Sequence, residues 1–105
     1  MNKAKLREEL EAQLGEANWG DLEPHAGRGA LLFVSFEKEL IDVAVAVALD
    51  QVEEIQSLLD IGSLRKPSTI ELNKLNQDEP TEIPYIIVQP FVLARDPSRP
   101  THGDT

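Results

Sequence analysis

Residues 37–60, EKELIDVAVAVALDQVEEIQSLLD, contain the most restrictive feature of the chain: from Val43 to Leu49, seven apolar residues follow one another without a break. Such a run has no polar face to offer water, so something must enclose it. Val43, Val45 and Val47 alternate with Ala44, Ala46 and Ala48, which is strand period with β-branched chemistry. Leu40, Val43, Ala44 and Val47 equally follow helical spacing. The flank decides: Val52, Ile55, Leu58 and Leu59 form a helical stripe opposite Glu53, Glu54 and Gln56. The spacing predicts one central helix over 38–60, or a kinked pair divided at Asp50, where Asp50 and Glu53 have the separation of a capping box. Enclosure of the valines comes from the rest of the domain or from a second copy of the chain.

The 105 residues are enough for one thin core, and only five are aromatic, so aliphatic side chains must supply most of the packing. Without cysteine there is no disulfide framework and no thiolate metal site. MNKAKLREEL lacks the apolar stretch of a signal peptide, and the valine run is too short for a membrane span, so a soluble cytoplasmic protein is expected, with no membrane role. The formal charge is −9, and residues 37–60 hold seven acids against Lys38 alone. That field repels a phosphate backbone and excludes nucleic acid as the expected partner. The acids fit a solvated face, or else a basic protein partner.

Upstream, KAKLREELEAQLGEA reads as an N-terminal helix with Leu6, Leu10 and Leu14 in line, stopping near Gly15 or Ala17. Asn18 is placed to cap a short helix in which Trp19 and Leu22 anchor to the core. Pro24, Gly27 and Gly29 then lead into a strand near 30–36, ALLFVSF. Downstream, Gly62 suits a left-handed helix exit with Leu64 packing back. Ser68 with Glu71 is a capping box opening a short helix near 69–76. A second strand spans 84–94, broken by Pro90, which points to an edge strand, a bulge, or two short strands meeting at a bend, with Gln89-Pro90 as a cis bond or bulge that aims Phe91. The fold class is α+β: a single domain over 1–95 and a disordered tail over 96–105. Two strands make a marginal sheet, so helices on one face or continuation across a dimer are needed. Val43, Val47 and Phe91 join Trp19 and Leu22 as structural anchors.

Trp19, Leu22, Pro24-His25 and Arg28, then the strand, LIDVAVAVALD, Lys66-Pro67 and Val88-Gln89-Pro90-Phe91-Val92-Leu93 together resemble a bacterial family catalogued as domain of unknown function 2288, over about residues 5–95. The resemblance implies no activity, cofactor or catalytic residue.

His25 and Arg28, three apart, are the sharpest polar pair. On a helical turn they face one way and could hold a carboxylate or phosphate, with Asp21 or Glu23 orienting the imidazole as for a general base. The plainer reading has His25 satisfying a backbone carbonyl and Arg28 pairing with an acid. Arg65 is a further candidate for a small anion site; alternatively Arg65-Lys66 complements a helix C-terminus. With His102 in the tail as the only other histidine, no metal site is expected, and no cofactor motif, phosphate loop or nucleophile elbow is present. The expectation is a non-enzymatic protein acting through self-association as a dimer, with the spine or the broken strand at the seam. The alternatives are a small anionic ligand at His25, Arg28 and Arg65, and an enzyme using His25.

Overall fold

A computed structural model describes residues 2–97. Helices are α1 (Lys3–Ala12), α2 (Trp19–Gly27), α3 (Leu40–Ala48), α4 (Val52–Asp60) and α5 (Thr69–Asp78). Strands are β1 (Gly15–Ala17), β2 (Leu31–Val34), β3 (Leu64–Arg65), β4 (Ile83–Val88) and β5 (Phe91–Arg95). The five strands form one mixed sheet in the order β1-β4-β5-β2-β3. β2 and β5 run parallel at its centre, with Leu31 opposite Val92 and Val34 opposite Arg95, and all other neighbours are antiparallel.

Both faces of this α+β sheet are covered, which is why β2 reads as four consecutive buried residues rather than as an alternation. Leu32, Val34, Ile86, Val88 and Leu93 point to one face and pack with Leu10, Leu58 and the apolar residues of α3. Leu31, Phe33, Ile83, Val92 and Ala94 point to the other, where Trp19 and Leu22 of α2 and Leu75 of α5 cover them.

The valine run is helical as far as Ala48; its first four residues are enclosed within one chain, Val47 is half-buried, and Ala48 and Leu49 are exposed. Leu40, Ile41, Val43, Ala44, Val45 and Ala46 are all buried. α1, α4, β4 and β5 all lie against α3, so its apolar residues are covered from several elements while Asp42 and Ala48 face solvent. Val47 and Phe91 pack half-buried at the margin of the same cluster.

Three helices end in one way. In α2, α3 and α4 the residue two past the helix is left-handed: Gly29 at φ 75°, Asp50 at φ 55° and Gly62 at φ 80°. Its N–H and the next one bond back in pairs: Gly29 to Ala26 and Ala30 to His25, Asp50 to Val47 and Gln51 to Ala46, Gly62 to Leu59 and Ser63 to Leu58. Two of these positions have the glycine that such backbone favours; α3 ends on an aspartate instead. Asp50→Gly is therefore expected to raise stability by about 0.5–1 kcal/mol, read as a higher urea midpoint at unchanged slope.

Several expectations need correction. α1 stops at Ala12, and Leu14 is exposed, because Gly15–Ala17 leaves the helix to pair with β4 as an edge strand. Tyr85 lies over Gly15, where a Cβ would sit 3.1 Å from the ring, so a residue that looked like a helix stop makes room for an aromatic. β2 ends at Val34, leaving Phe36 exposed in the following turn. The helix pair does divide at Asp50, but no capping box forms there: Gln51 is the cap of α4 and makes no side-chain bond. The box at Ser68 and Glu71 is present. Of the readings of Pro90, two short strands meeting at a bend with a cis Gln89-Pro90 bond is the one present; both strands are interior, so the edge-strand reading is set aside. Asp96, just past β5, donates its N–H to the Val34 carbonyl at 3.1 Å. The remainder of the expected tail beyond Pro97, with His102, lies outside the described residues.

The turn after β2 is held by side chains. Arg95 donates to the carbonyls of Ser35 and Lys38, both at 2.7 Å. Glu37 accepts from the Ser35 hydroxyl and, at 3.2 Å, from that of buried Ser63. The Ser35 bond is the main reason the Glu37 pKa is lowered, assisted by a backbone N–H and Ser63. A depressed carboxylate pKa contributes stability that is present above the unfolded value of 4.5 and is lost as pH falls through the folded value. The melting-temperature gap between wild type and Glu37→Gln should therefore be widest near neutral pH and shrink as pH falls below the unfolded carboxylate value.

Candidate functional site

The junction singled out by its chemistry folds as α2 and the loop leaving it. Asn18 occupies the cap position without a side-chain bond, and Trp19 and Leu22 pin the helix to the sheet, as anchors should. The Trp19 indole N–H donates to Asn76 Oδ1 of α5 at 2.7 Å, and its ring sits 6.4 Å from that of Phe33. His25 is on the last turn, half-buried, lining a cleft of about 270 Å³ between α2 and the β1-β4 side of the sheet. Glu16, Asp21 and Tyr85 give the cleft its polar groups; Ala17, Leu22, Ile87 and Val92 give it apolar walls.

His25 and Arg28 do meet, but they bind each other: the Arg28 guanidinium donates to His25 Nδ1. Guanidinium has no acceptor, so it is the Nδ1 lone pair that Arg28 occupies. A general base needs the reverse, with a carboxylate taking the proton of one nitrogen and the other free to accept. Asp21 lines the same cleft as His25, whereas Glu23 lines a neighbouring one of about 530 Å³ with Asn18, Asp21, Asn76 and Glu79. Two carboxylates and no arginine or lysine line the His25 cleft, an electrostatic setting that disfavours an anion.

Arg65 takes part in a different arrangement. Its guanidinium forms a fork with Glu71 at 2.6 and 2.7 Å, reaches Asp96 at 2.7 Å and lies 5.7 Å from the centre of the Phe33 ring. The bond to Glu71, reinforced by Asp96 against the cost of burial, holds its pKa above the ordinary arginine value. Lys66, rather than Arg65, approaches the loop after α2: a Cβ on Gly29 would lie 3.9 Å from its Nζ, beside the carbonyl end of that helix, where a cation is favoured.

Glu16 and Tyr85 were not identifiable as cleft residues from sequence. They meet His25 only because β1 pairs with β4, and a three-residue strand carries no period to read. Among the described residues no group of three or more metal-ligating side chains converges, and no helix is long and apolar enough to cross a membrane.

The family description "Protein of unknown function (DUF2288)" matches residues 5–96. The chain belongs to this family. A DUF2288 assignment brings no activity with it, so chemistry must be argued from geometry. The fold is similar to the NMR solution structure of PA1075 from Pseudomonas aeruginosa, at 29% identity and a TM-score of 0.74 over 86% of this chain and 82% of that one. No curated protein matches.

Proposed function

We propose that this DUF2288 protein is a cytoplasmic, non-enzymatic protein that works by binding another polypeptide through the outer face of α4. The observation that carries this reading is the exposure of Val52 at 64%, Leu59 at 43% and, just past the helix, Ile61 at 67%. The core takes only Leu58 fully and Ile55 in part, leaving half of the apolar stripe of α4 in water. The spine gives a partner less support than α4 does, since Val43 and Val45 are buried within the chain and Val47 is half-buried. An anionic ligand at His25, Arg28 and Arg65 has less support: Arg28 is engaged with His25, Arg65 with two carboxylates, and the cleft itself is acidic. Enzyme action through His25 has the same difficulty.

The test is position-specific photocross-linking in the native host, with the probe at Val52 or Leu59 and a control at Ile70, exposed on α5. One discrete adduct shared by both α4 positions, absent at Ile70 and lost from the Val52 probe when Leu59→Glu is added, supports the reading. No adduct, or the same adducts at Ile70, overturns it.

A further inference from the structure

The chemistry of the partner follows from what stands beside the apolar residues of α4. Val52 and Leu59 are seven apart, and so are Glu53 and Asp60, so an apolar row and an acidic row run side by side along two turns. Val52 also opens onto a shallow concavity of about 590 Å³ lined by Asp50, Gln51, Glu53 and Glu54, with Lys3 as its single base. A second copy of the chain is a poor occupant. A symmetric pair sets the same patch against itself, which would bring Glu53 and Asp60 of both copies together on chains of formal charge −9.

We propose that α4 docks a basic amphipathic helix of a different protein. Apolar side chains about 10 Å apart would cover Val52 and Leu59, and lysine or arginine one position along would face Glu53 and Asp60. This rests on the reading of α4 as a docking face and adds the charge and periodicity of its partner. The short contact, two helical turns, points to a weak and salt-sensitive complex.

The experiment uses the full chain and a fluorescent synthetic leucine–lysine amphipathic helix, followed by anisotropy at low and physiological salt. Two control peptides are included: a scrambled sequence of the same composition and a leucine–glutamate helix. Saturable binding to the leucine–lysine helix is expected, weakened about tenfold or more by Val52→Glu, by Leu59→Glu and by the pair Glu53→Lys with Asp60→Lys, and unchanged by Ile70→Glu. Circular dichroism melts verify that each variant is folded; these sites are exposed, so folding should survive. Equal binding of the scrambled peptide would reduce the effect to diffuse charge and overturn the proposal, as would equal binding of the leucine–glutamate helix or indifference to Leu59→Glu. A dimer in sedimentation that is abolished by Leu59→Glu would make the occupant a second copy and overturn it too. If cross-linking at Val52 finds a discrete partner but the basic helix does not bind, this inference falls while the docking face stands. Failure of cross-linking removes both.

Discussion

Trp19→Ala is expected to destabilise the protein by about 3–5 kcal/mol, a large share of the roughly 5–15 kcal/mol that holds a domain of this size together. Trp19 is only 2% exposed and fills the space between α2, β2 and α5. Its loss removes the tilted contact with Phe33 and leaves a cavity that aliphatic neighbours cannot easily collapse into. Part of the effect is polar, because the indole N–H donates to Asn76. Trp19→Phe keeps much of the volume and loses that bond, so it should cost less than the alanine variant, while Asn76→Ala should cost about 1 kcal/mol. Urea unfolding of the three variants separates the contributions; a Trp19→Ala cost no greater than that of Asn76→Ala would contradict this account of the α2 anchor.

Arg65→Ala should be the next most damaging change, at about 2–3 kcal/mol, because it strands two carboxylates that share one guanidinium in a partly buried position. The figure lies below that for a fully buried pair, since the side chain of Arg65 is one-third exposed. Glu71 is also the residue that reaches back to the Ser68 N–H at 2.9 Å, so the same loss loosens the start of α5. Arg65→Lys keeps the charge but not the fork, and should recover only part of the stability. The raised arginine pKa makes this contribution present below the ordinary arginine value and lost only above it, so no alkaline weakening from Arg65 is expected in the ordinary range. Thermal melts at neutral pH decide it: an alanine variant as stable as wild type would mean the network is ornamental.

What sequence reading could see was local. The box at Ser68 and Glu71 and the left-handed exit at Gly62 depend on neighbours within a few positions, and both are in place; Trp19 and Leu22 are buried against partners distant in sequence, and only their size and apolarity marked them as anchors. β1 and β3, at three and two residues, are strands only because the sheet offers them an edge. The valine run looked in need of a second chain because its cover comes from residues distant in sequence, among them Leu10, Ile86 and Leu93. For the same reason Val45 and Val92, both buried, would report unfolding rather than a broken seam if changed to glutamate. The spacing of His25 and Arg28 put them on one side of a turn, but not bonded to each other; the acidic cleft was not legible either, since Glu16 and Tyr85 arrive from different strands.

The order of the sheet has a consequence for how the chain is made. β5, the last described strand to leave the ribosome, sits at the middle of the sheet and joins β2 to β4. Until it is available β2 lacks its parallel neighbour, and α3 lacks part of the surface that hides its valines. Closing the fold then requires contacts between residues about sixty positions apart, which are slow to find compared with helical turns. While residues 50–95 are being made the chain must carry VAVAVAL without its final cover, the interval in which a holding chaperone would matter most.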